Sequence, residues 1–359
     1  MERIFENLPG GGYDILIEEG ILGRLGEYAA RVRPPGRAAV ITDSNVGGIY
    51  GEKALKSLER AGFSPVLITV PAGEESKSPE RLLWLYSRML EAGITRRGTV
   101  FALGGGVVGD LAGFAAATLM RGIPYIQIPT TLLAQVDSSV GGKVAVNLPE
   151  GKNLAGAFYQ PALVLIDPGC LSTLPDRVFS GGMAEVLKYG AISSASLFEK
   201  LAACGSREGV MREIGAVIKE CCEIKSVIVA RDERDSGERM LLNFGHTLGH
   251  VYEAAYGYGR YTHGEAVAAG MCAITRLAES AGRTPPGVLS RLMEAAELFG
   301  LPTGIPFPEG GEKMVMRDKK AGDGEISLVF LSDIGRGNIE KMEISRFVSM
   351  ITELVRNEI

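Results

Sequence analysis

Several residue types are scarce in this chain. Five cysteines (Cys170, Cys204, Cys221, Cys222, Cys272) make no CxxC pair and no even framework, which leaves reduced, buried thiols as the expectation. No uninterrupted apolar run reaches the ~20 residues a membrane helix requires. The opening MERIFENLPGGGYDIL lacks a basic flank followed by an apolar core, so no signal peptide is expected. The implied location is cytoplasmic, with no membrane partner. Positive charge is not in excess: 38 Lys and Arg stand against 43 Asp and Glu, a net charge of −5. That balance argues against a nucleic-acid partner, although it leaves room for a local basic pocket that holds a small anion. No internal repeat or low-complexity tract is present.

What is there reads as a globular enzyme. Hydrophobic residues make up 46% and charged residues 23% of 359 positions, too apolar for disorder and too long for one ordinary core. Short β-branched runs at 13–18, 38–42, 65–70, 99–103, 125–128 and 163–166 read as strands. Helical spacing between several of them, as at 78–91, implies a mostly parallel sheet with helices on both faces. After Pro175 the texture changes. Segments 210–230, 243–256, 265–281 and 286–299 read as helices, with one late strand pattern at 325–331. The expected organisation is an α/β domain over 1–174 followed by a helical domain over 175–359.

Glycine is plentiful, 48 residues in all, and much of it clusters in a few stretches. The strand pattern at 99–103 runs directly into Gly104-Gly105-Gly106-Val107-Val108-Gly109-Asp110 and then a helical run. Glycines at 104, 106 and 109 let backbone amides approach a ligand, and a helix amino terminus suits a pyrophosphate. A strand-to-helix turn without a ligand would look the same. The motif also opens late, with no acid some 20 residues on for a ribose. Asp43, ending an earlier strand, is a candidate ribose partner or a helix cap.

All three histidines, His246, His250 and His263, fall in one eighteen-residue window. In NFGHTLGH, His246 and His250 stand four apart, so a helix puts them on one face at metal-binding spacing. Thr247 stands where a zinc protease would have its glutamate, which excludes that class. His263 opens THGEAV. Three histidines, or two with a carboxylate, make an open metal site, and hydrogen-bonded core histidines are the alternative. Glu185, in GGMAEVLKYG, is a candidate carboxylate that spacing alone does not select. Residues 130–161 are dense in Thr, Asp, Ser, Gly, Lys and Asn. With Lys188, Arg239, Lys319 and Lys320 they supply the fixed positive charge an anionic ligand needs.

Together, GGGVVGDLAGFAAATLMRGI (104–123), QIPTTLLAQVDSSVGGKVAVNLPEGKNLAGAFYQP (127–161), EVLKYG (185–190), NFGHTLGH (243–250) and HGEAV (263–267) resemble the 3-dehydroquinate synthases, a branch of the sugar phosphate cyclases. The resemblance implies a Rossmann-like nucleotide-binding α/β domain followed by a helical metal- and substrate-binding domain, assembled as a homodimer. It also implies conversion of 3-deoxy-D-arabino-heptulosonate 7-phosphate to 3-dehydroquinate and phosphate, with NAD and Zn2+ or Co2+. By resemblance, Glu185, His246 and His263 are metal ligands, whereas His250 belongs to the substrate. NAD contacts fall on Asp43, Glu74, Lys77, Gly106, Val107, Val108, Gly109, Asp110, Thr130, Thr131, Lys143, Lys152, Cys170, Leu171, Ser172 and Thr173. Substrate contacts fall on Asp137, Lys143, Lys152, Asn153, Lys188, Lys225, Arg239, Asn243, His250 and one of Lys319 and Lys320. Arg121 falls on a residue that reaches the neighbouring subunit's substrate phosphate. Another sugar phosphate cyclase, a metal-dependent polyol dehydrogenase and a non-catalytic NAD-binding protein are the competing readings.

Overall fold

The computed structural model describes residues 1–235, 237–257, 259–317 and 324–357. Its chain divides into two compact units. The first holds Met1–Leu174 and Cys221–Ala230, the second Pro175–Glu220 and Arg231–Ile359. Cys221–Ala230 comes from the helix Ile214–Arg231, so a contiguous cut at 174/175 is not the whole account.

In the first unit the strands are β1 (Glu2–Glu6), β2 (Tyr13–Ile17), β3 (Arg37–Asp43), β4 (Ser64–Val70), β5 (Thr99–Gly104), β6 (Tyr125–Pro129), β7 (Lys143–Leu148), β8 (Gly151–Phe158) and β9 (Leu163–Ile166). Seven of them form one sheet in the order β1-β2-β9-β6-β5-β3-β4, antiparallel only at the β1–β2 edge. Side chains alternate across a strand, and the core follows that alternation. Ala38, Val40, Phe101 and Leu103 pack with Leu25, Tyr28, Ala54 and Leu58. Their neighbours Ala39, Ile41, Val100 and Ala102 pack with Leu82, Leu85, Met89, Val108, Leu111 and Ala115. Both faces are covered, as continuous apolar strands require. The expected strands are all present.

Two elements of this unit differ from expectation. β1 was not anticipated, and the polar stretch after 142, to which no element was assigned, is an antiparallel hairpin of β7 and β8. β8 is largely exposed (burial alternates between half-buried and open), so it carries lysine and asparagine where a core strand would carry valine.

In the second unit the helices relevant to function are Asp176–Ser193, His246–Ala255 and His263–Ser280, beside a hairpin of β10 (Glu325–Asp333) and β11 (Arg336–Glu343). Among the described residues, no helix is long and apolar enough to cross a membrane.

Candidate functional site

Glycine packing brings the helices of the second unit together. A Cβ on Gly264 would lie 2.0 Å from the Gly181 carbonyl oxygen, and one on Gly270 would lie 2.1 Å from that of Gly245. His263–Ser280 therefore touches both Asp176–Ser193 and the start of His246–Ala255, backbone against backbone. Larger residues at these positions would hold the three segments apart. The start of His263–Ser280 is fixed by a capping box. Thr262 Oγ1 accepts from the Glu265 N–H at 3.2 Å and Glu265 Oε2 accepts from the Thr262 N–H at 2.7 Å. Arg177 then clamps Glu265 through two bonds of 2.7 and 2.8 Å.

The result is a cluster in which one ligand atom each from Glu185, His246 and His263 lies within 4.8 Å of the others. Glu185 is fully buried, and its Oε1 stands 3.6 Å from His246 Nε2 and 3.3 Å from His263 Nε2. The Phe244 carbonyl lies 3.1 Å from His246 Nδ1, which assigns the proton to that nitrogen and leaves Nε2 as a lone-pair donor. The buried Lys188 ammonium contacts Glu185 Oε2. Burial first, and then the Lys188 charge, push His246 down to about 3. Burial alone would lower His263 too, but hydrogen bonds and charge from Glu185 and Glu253 outweigh it and carry the ring up to about 9. A buried carboxylate facing the Nε2 atoms of two imidazoles is a donor set that fits a divalent transition metal once His263 gives up its proton. His250 is exposed and outside this triad, with its ring 5.7 Å from that of His246. Arg239 is buried and donates to the Glu233 carbonyl at 2.6 Å, whereas Asn243 is exposed. Lys319 and Lys320 lie outside the described residues.

In the first unit, Asp43, Glu74, Lys77, the 106–110 loop, Thr130, Thr131, Asp137 and the 170–173 turn lie at or after the carboxyl ends of parallel strands, while Lys143, Lys152 and Asn153 lie on the β7–β8 hairpin. The helix Gly106–Thr118 begins directly after β5. Its glycines have a packing role that the sequence did not reveal: a Cβ on Gly104 would meet Val108 at 2.7 Å, and one on Gly109 would meet Gln127 at 2.9 Å. The hydroxyls of Thr42, at the end of β3, and Thr130, just after β6, are buried and find no hydrogen-bond partner among the described residues. Two unsatisfied hydroxyls around a strand-end glycine loop fit a nucleotide. Thr131 Oγ1 accepts from the Ala134 N–H at 3.2 Å. Asp43 caps the following turn, accepting from Asn45 and Val46 at 2.8 and 2.9 Å through Oδ1.

Lys77 contacts both Asp110 Oδ2 and Asn153 Oδ1. Burial holds the Asp110 carboxyl above its usual range, while the Lys77 charge pulls the other way. Lys225 donates to the Asp137 carbonyl at 2.7 Å and pairs with its carboxylate. Lys143 opens β7 on an exposed position and Lys152 is half-buried on β8. Cys170–Thr173 lies in one 3-10 turn, where Tyr50 bonds Thr173 Oγ1 at 2.8 Å and burial pushes the Cys170 thiol up to about 12. Arg121 belongs to neither cluster: it is exposed, with φ of 68°, in an open hollow with Arg96 and Arg97.

Two residues were missed. Asn147 accepts from the Asn153 N–H at 2.9 Å, donates to Glu74 Oε1 at 2.7 Å, and gives its own N–H to the Lys77 carbonyl at 2.8 Å. It thereby ties the Glu74–Lys77 turn to Asn153, whose φ of 58° needs support. The sequence held no specific signal for it. Glu253 is buried and 3.5 Å from His263 Nδ1. Its signal was available, because it stands seven residues after His246 on the same helical face.

Comparison with known proteins adds a family. The model for the 3-dehydroquinate synthase N-terminal region matches residues 67–181, and the C-terminal model matches 182–321. A 3-dehydroquinate synthase of Clostridium perfringens is 48% identical over 349 residues, covering 97% of this chain and 100% of that protein. One of Streptococcus suis is 44% identical over 353 residues, covering 97% and 99%. Among solved structures, 2-deoxy-scyllo-inosose synthase, complexed with carbaglucose-6-phosphate, NAD+ and Co2+, superposes with a TM-score of 0.88 at 26% identity over 99% of this chain and 100% of that one. The 2-epi-5-epi-valiolone synthase of Streptomyces hygroscopicus, with NAD+ and Zn2+ bound, gives 0.88 at 27% over 98% and 99%. A glycerol dehydrogenase of Schizosaccharomyces pombe gives 0.66 at 17% over 95% and 88%, a likeness of fold alone.

Proposed function

The chain belongs to the 3-dehydroquinate synthase family, and from that premise we propose that it converts 3-deoxy-D-arabino-heptulosonate 7-phosphate to 3-dehydroquinate and inorganic phosphate. It is a carbon–oxygen lyase that depends on NAD and on zinc or cobalt. The observation that carries this reading is the convergence of Glu185, His246 and His263 on one point.

Bound NAD would supply a transient oxidation by accepting and later returning a hydride, and a bound cation would acidify the ring hydroxyl that loses it. Glu185, His246 and His263 hold the cation. Asp43, Glu74, Lys77, the 106–110 loop, Thr130, Thr131, Lys143, Lys152 and the 170–173 turn hold the dinucleotide. Lys152, Asn153, Lys188, Arg239, Asn243 and His250, with Asp137, Lys225 and one of Lys319 and Lys320, bind and orient the sugar phosphate. Each charge-assisted bond contributes about 1.5–3 kcal/mol. Once the ring carries a ketone, the neighbouring C–H bond is acidic. The departing phosphate accepts that proton as its C–O bond breaks, so no side chain needs to be a strong base. Re-reduction, ring opening and aldol closure complete the carbocycle. The protein acts in the cytoplasm as a homodimer, with Arg121 reaching the substrate phosphate of the neighbouring subunit.

Purified protein given the heptulosonate phosphate and catalytic NAD should release one phosphate per 3-dehydroquinate, with no lasting rise in NADH absorbance. Stoichiometric NADH from a simple polyol, without phosphate release, would overturn the assignment in favour of a dehydrogenase. For the dimer, mixing Arg121→Ala with Lys152→Ala protein should regenerate activity. No rescue after demonstrated subunit exchange would remove Arg121 from its partner's site.

A further inference from the structure

One buried acid of the helical unit has no part in the proposed reaction. Glu253 is 3% exposed, and a carboxylate so buried is costly unless something nearby compensates it. It follows His246 by seven residues, about two helical turns, so both side chains leave His246–Ala255 on the same face. Its Oε2 stands 3.5 Å from His263 Nδ1, while the opposite nitrogen of that ring, Nε2, stands 3.3 Å from Glu185 Oε1. The ring thus lies between two carboxylates, one inside the triad and one outside it.

His246 repeats the plan with a different anchor. Its Nδ1 faces the Phe244 carbonyl at 3.1 Å and its Nε2 faces Glu185 at 3.6 Å. Each ring is held through Nδ1 and presents Nε2. His246 is held by a neutral carbonyl from two residues before it, an anchor any sequence would supply. His263 is held by a charged side chain that this sequence had to place.

We propose that Glu253 is a positioning residue for the cation centre: its carboxylate engages the Nδ1 side of His263, keeps Nε2 turned toward Glu185, and adds a negative charge behind the ligand. This rests on the metal reading above. An outer carboxylate raises the basicity of the imidazole it holds and fixes its tautomer, and losing such a partner typically weakens metal binding 10–100-fold. If Glu253 served helix packing alone, its removal would lower thermal stability and leave metal affinity unchanged.

The test compares the parent with Glu253→Ala, Glu253→Gln and His263→Ala. Zinc affinity is measured by competition with a chromophoric chelator, and the visible spectrum of the cobalt-loaded protein reports ligand geometry. Glu253→Ala should weaken zinc binding about 10–100-fold and shift the cobalt spectrum, with NAD binding unchanged. Glu253→Gln, which keeps an acceptor without the charge, should fall between it and the parent. Zinc affinity within twofold of the parent in Glu253→Ala, alongside strong weakening in His263→Ala, would overturn the inference and leave the metal reading standing. Parental affinity in His263→Ala would overturn the metal reading itself. Should Glu253→Ala fail to fold, unchanged affinity and spectrum in Glu253→Gln would overturn the inference.

Discussion

The two units build polar clusters by opposite means. In the helical unit, Glu185, His246 and His263 each bring one potential ligand atom to a common point, and glycine contacts between backbones let the segments approach. In the α/β unit, Lys77, Asp110, Asn147, Asn153 and Glu74 bond one another, tying a turn, a helix and a hairpin together. The first cluster is a set of donors that calls for a cation; the second is already balanced and sets backbone shape. Damage to the first should therefore appear in chemistry, and damage to the second in stability and ligand fit.

The largest expected effect tests the first half of that contrast. Glu185→Ala or His246→Ala removes a ligand of a cation whose charge stabilisation amounts to several kcal/mol. Turnover should fall by about 10³-fold, with zinc affinity lost and NAD affinity changed little. Turnover within tenfold of the parent would mean that convergence here is not catalytic. Next comes the packing that creates it. Gly264→Ala drives a Cβ to 2.0 Å from a backbone oxygen, whereas Gly113→Ala in the α/β unit meets the side chain of Val144 at 2.4 Å. Backbone cannot yield as a side chain does, so Gly264→Ala should cost about 3 kcal/mol and Gly113→Ala about 1. Thermal unfolding of both variants checks the order, and the reverse order would refute the account of how the helices meet.

The second cluster makes the smaller claim. Asn147→Ala breaks bonds to the Glu74–Lys77 turn and to the Asn153 backbone, worth about 1–2 kcal/mol together. Calorimetry should show a lower unfolding temperature and weaker NAD binding, with zinc binding intact. Loss of zinc instead would show that the clusters are not separable.

How much of this was legible depended on what fixes each feature. The parallel strands were readable because apolar β-branched runs leave no other period. The capping of the helix at His263 is local chemistry, written in T-H-G-E. The β7–β8 hairpin was read as a ligand segment because an exposed strand carries the same polar residues as a binding loop. The helix bearing Glu185 was not anticipated, because Gly181 and Gly182 lower helix propensity, and the close approach of Gly264 to the Gly181 backbone is fixed only in three dimensions. For the same reason the sequence does not separate a ligand role from a packing role for the glycines of the 104–109 loop, where Gly104 and Gly109 are required by Val108 and Gln127.

The smallest predicted effect uses pH to read the first cluster without any metal. His263 titrates at about 9 in the folded chain against 6.5 unfolded, so it keeps a proton that the unfolded chain gives up. Its contribution is complete below pH 6.5 and is lost as the pH rises toward 9. His246 runs the other way, at about 3 against 6.5. There the unfolded chain takes up the extra proton, and stability is lost as the pH falls from 6.5 toward 3. Chelator-treated protein should therefore lose a few degrees of unfolding temperature between pH 6.5 and 9, and His263→Gln should lack most of that slope. A bound cation reverses the sign, because His263 must shed its proton to act as a ligand and affinity then rises with pH over the same range. If the chelated parent and His263→Gln share one slope, the proton held above pH 6.5 is not on His263, and the ring is neutral before any metal arrives.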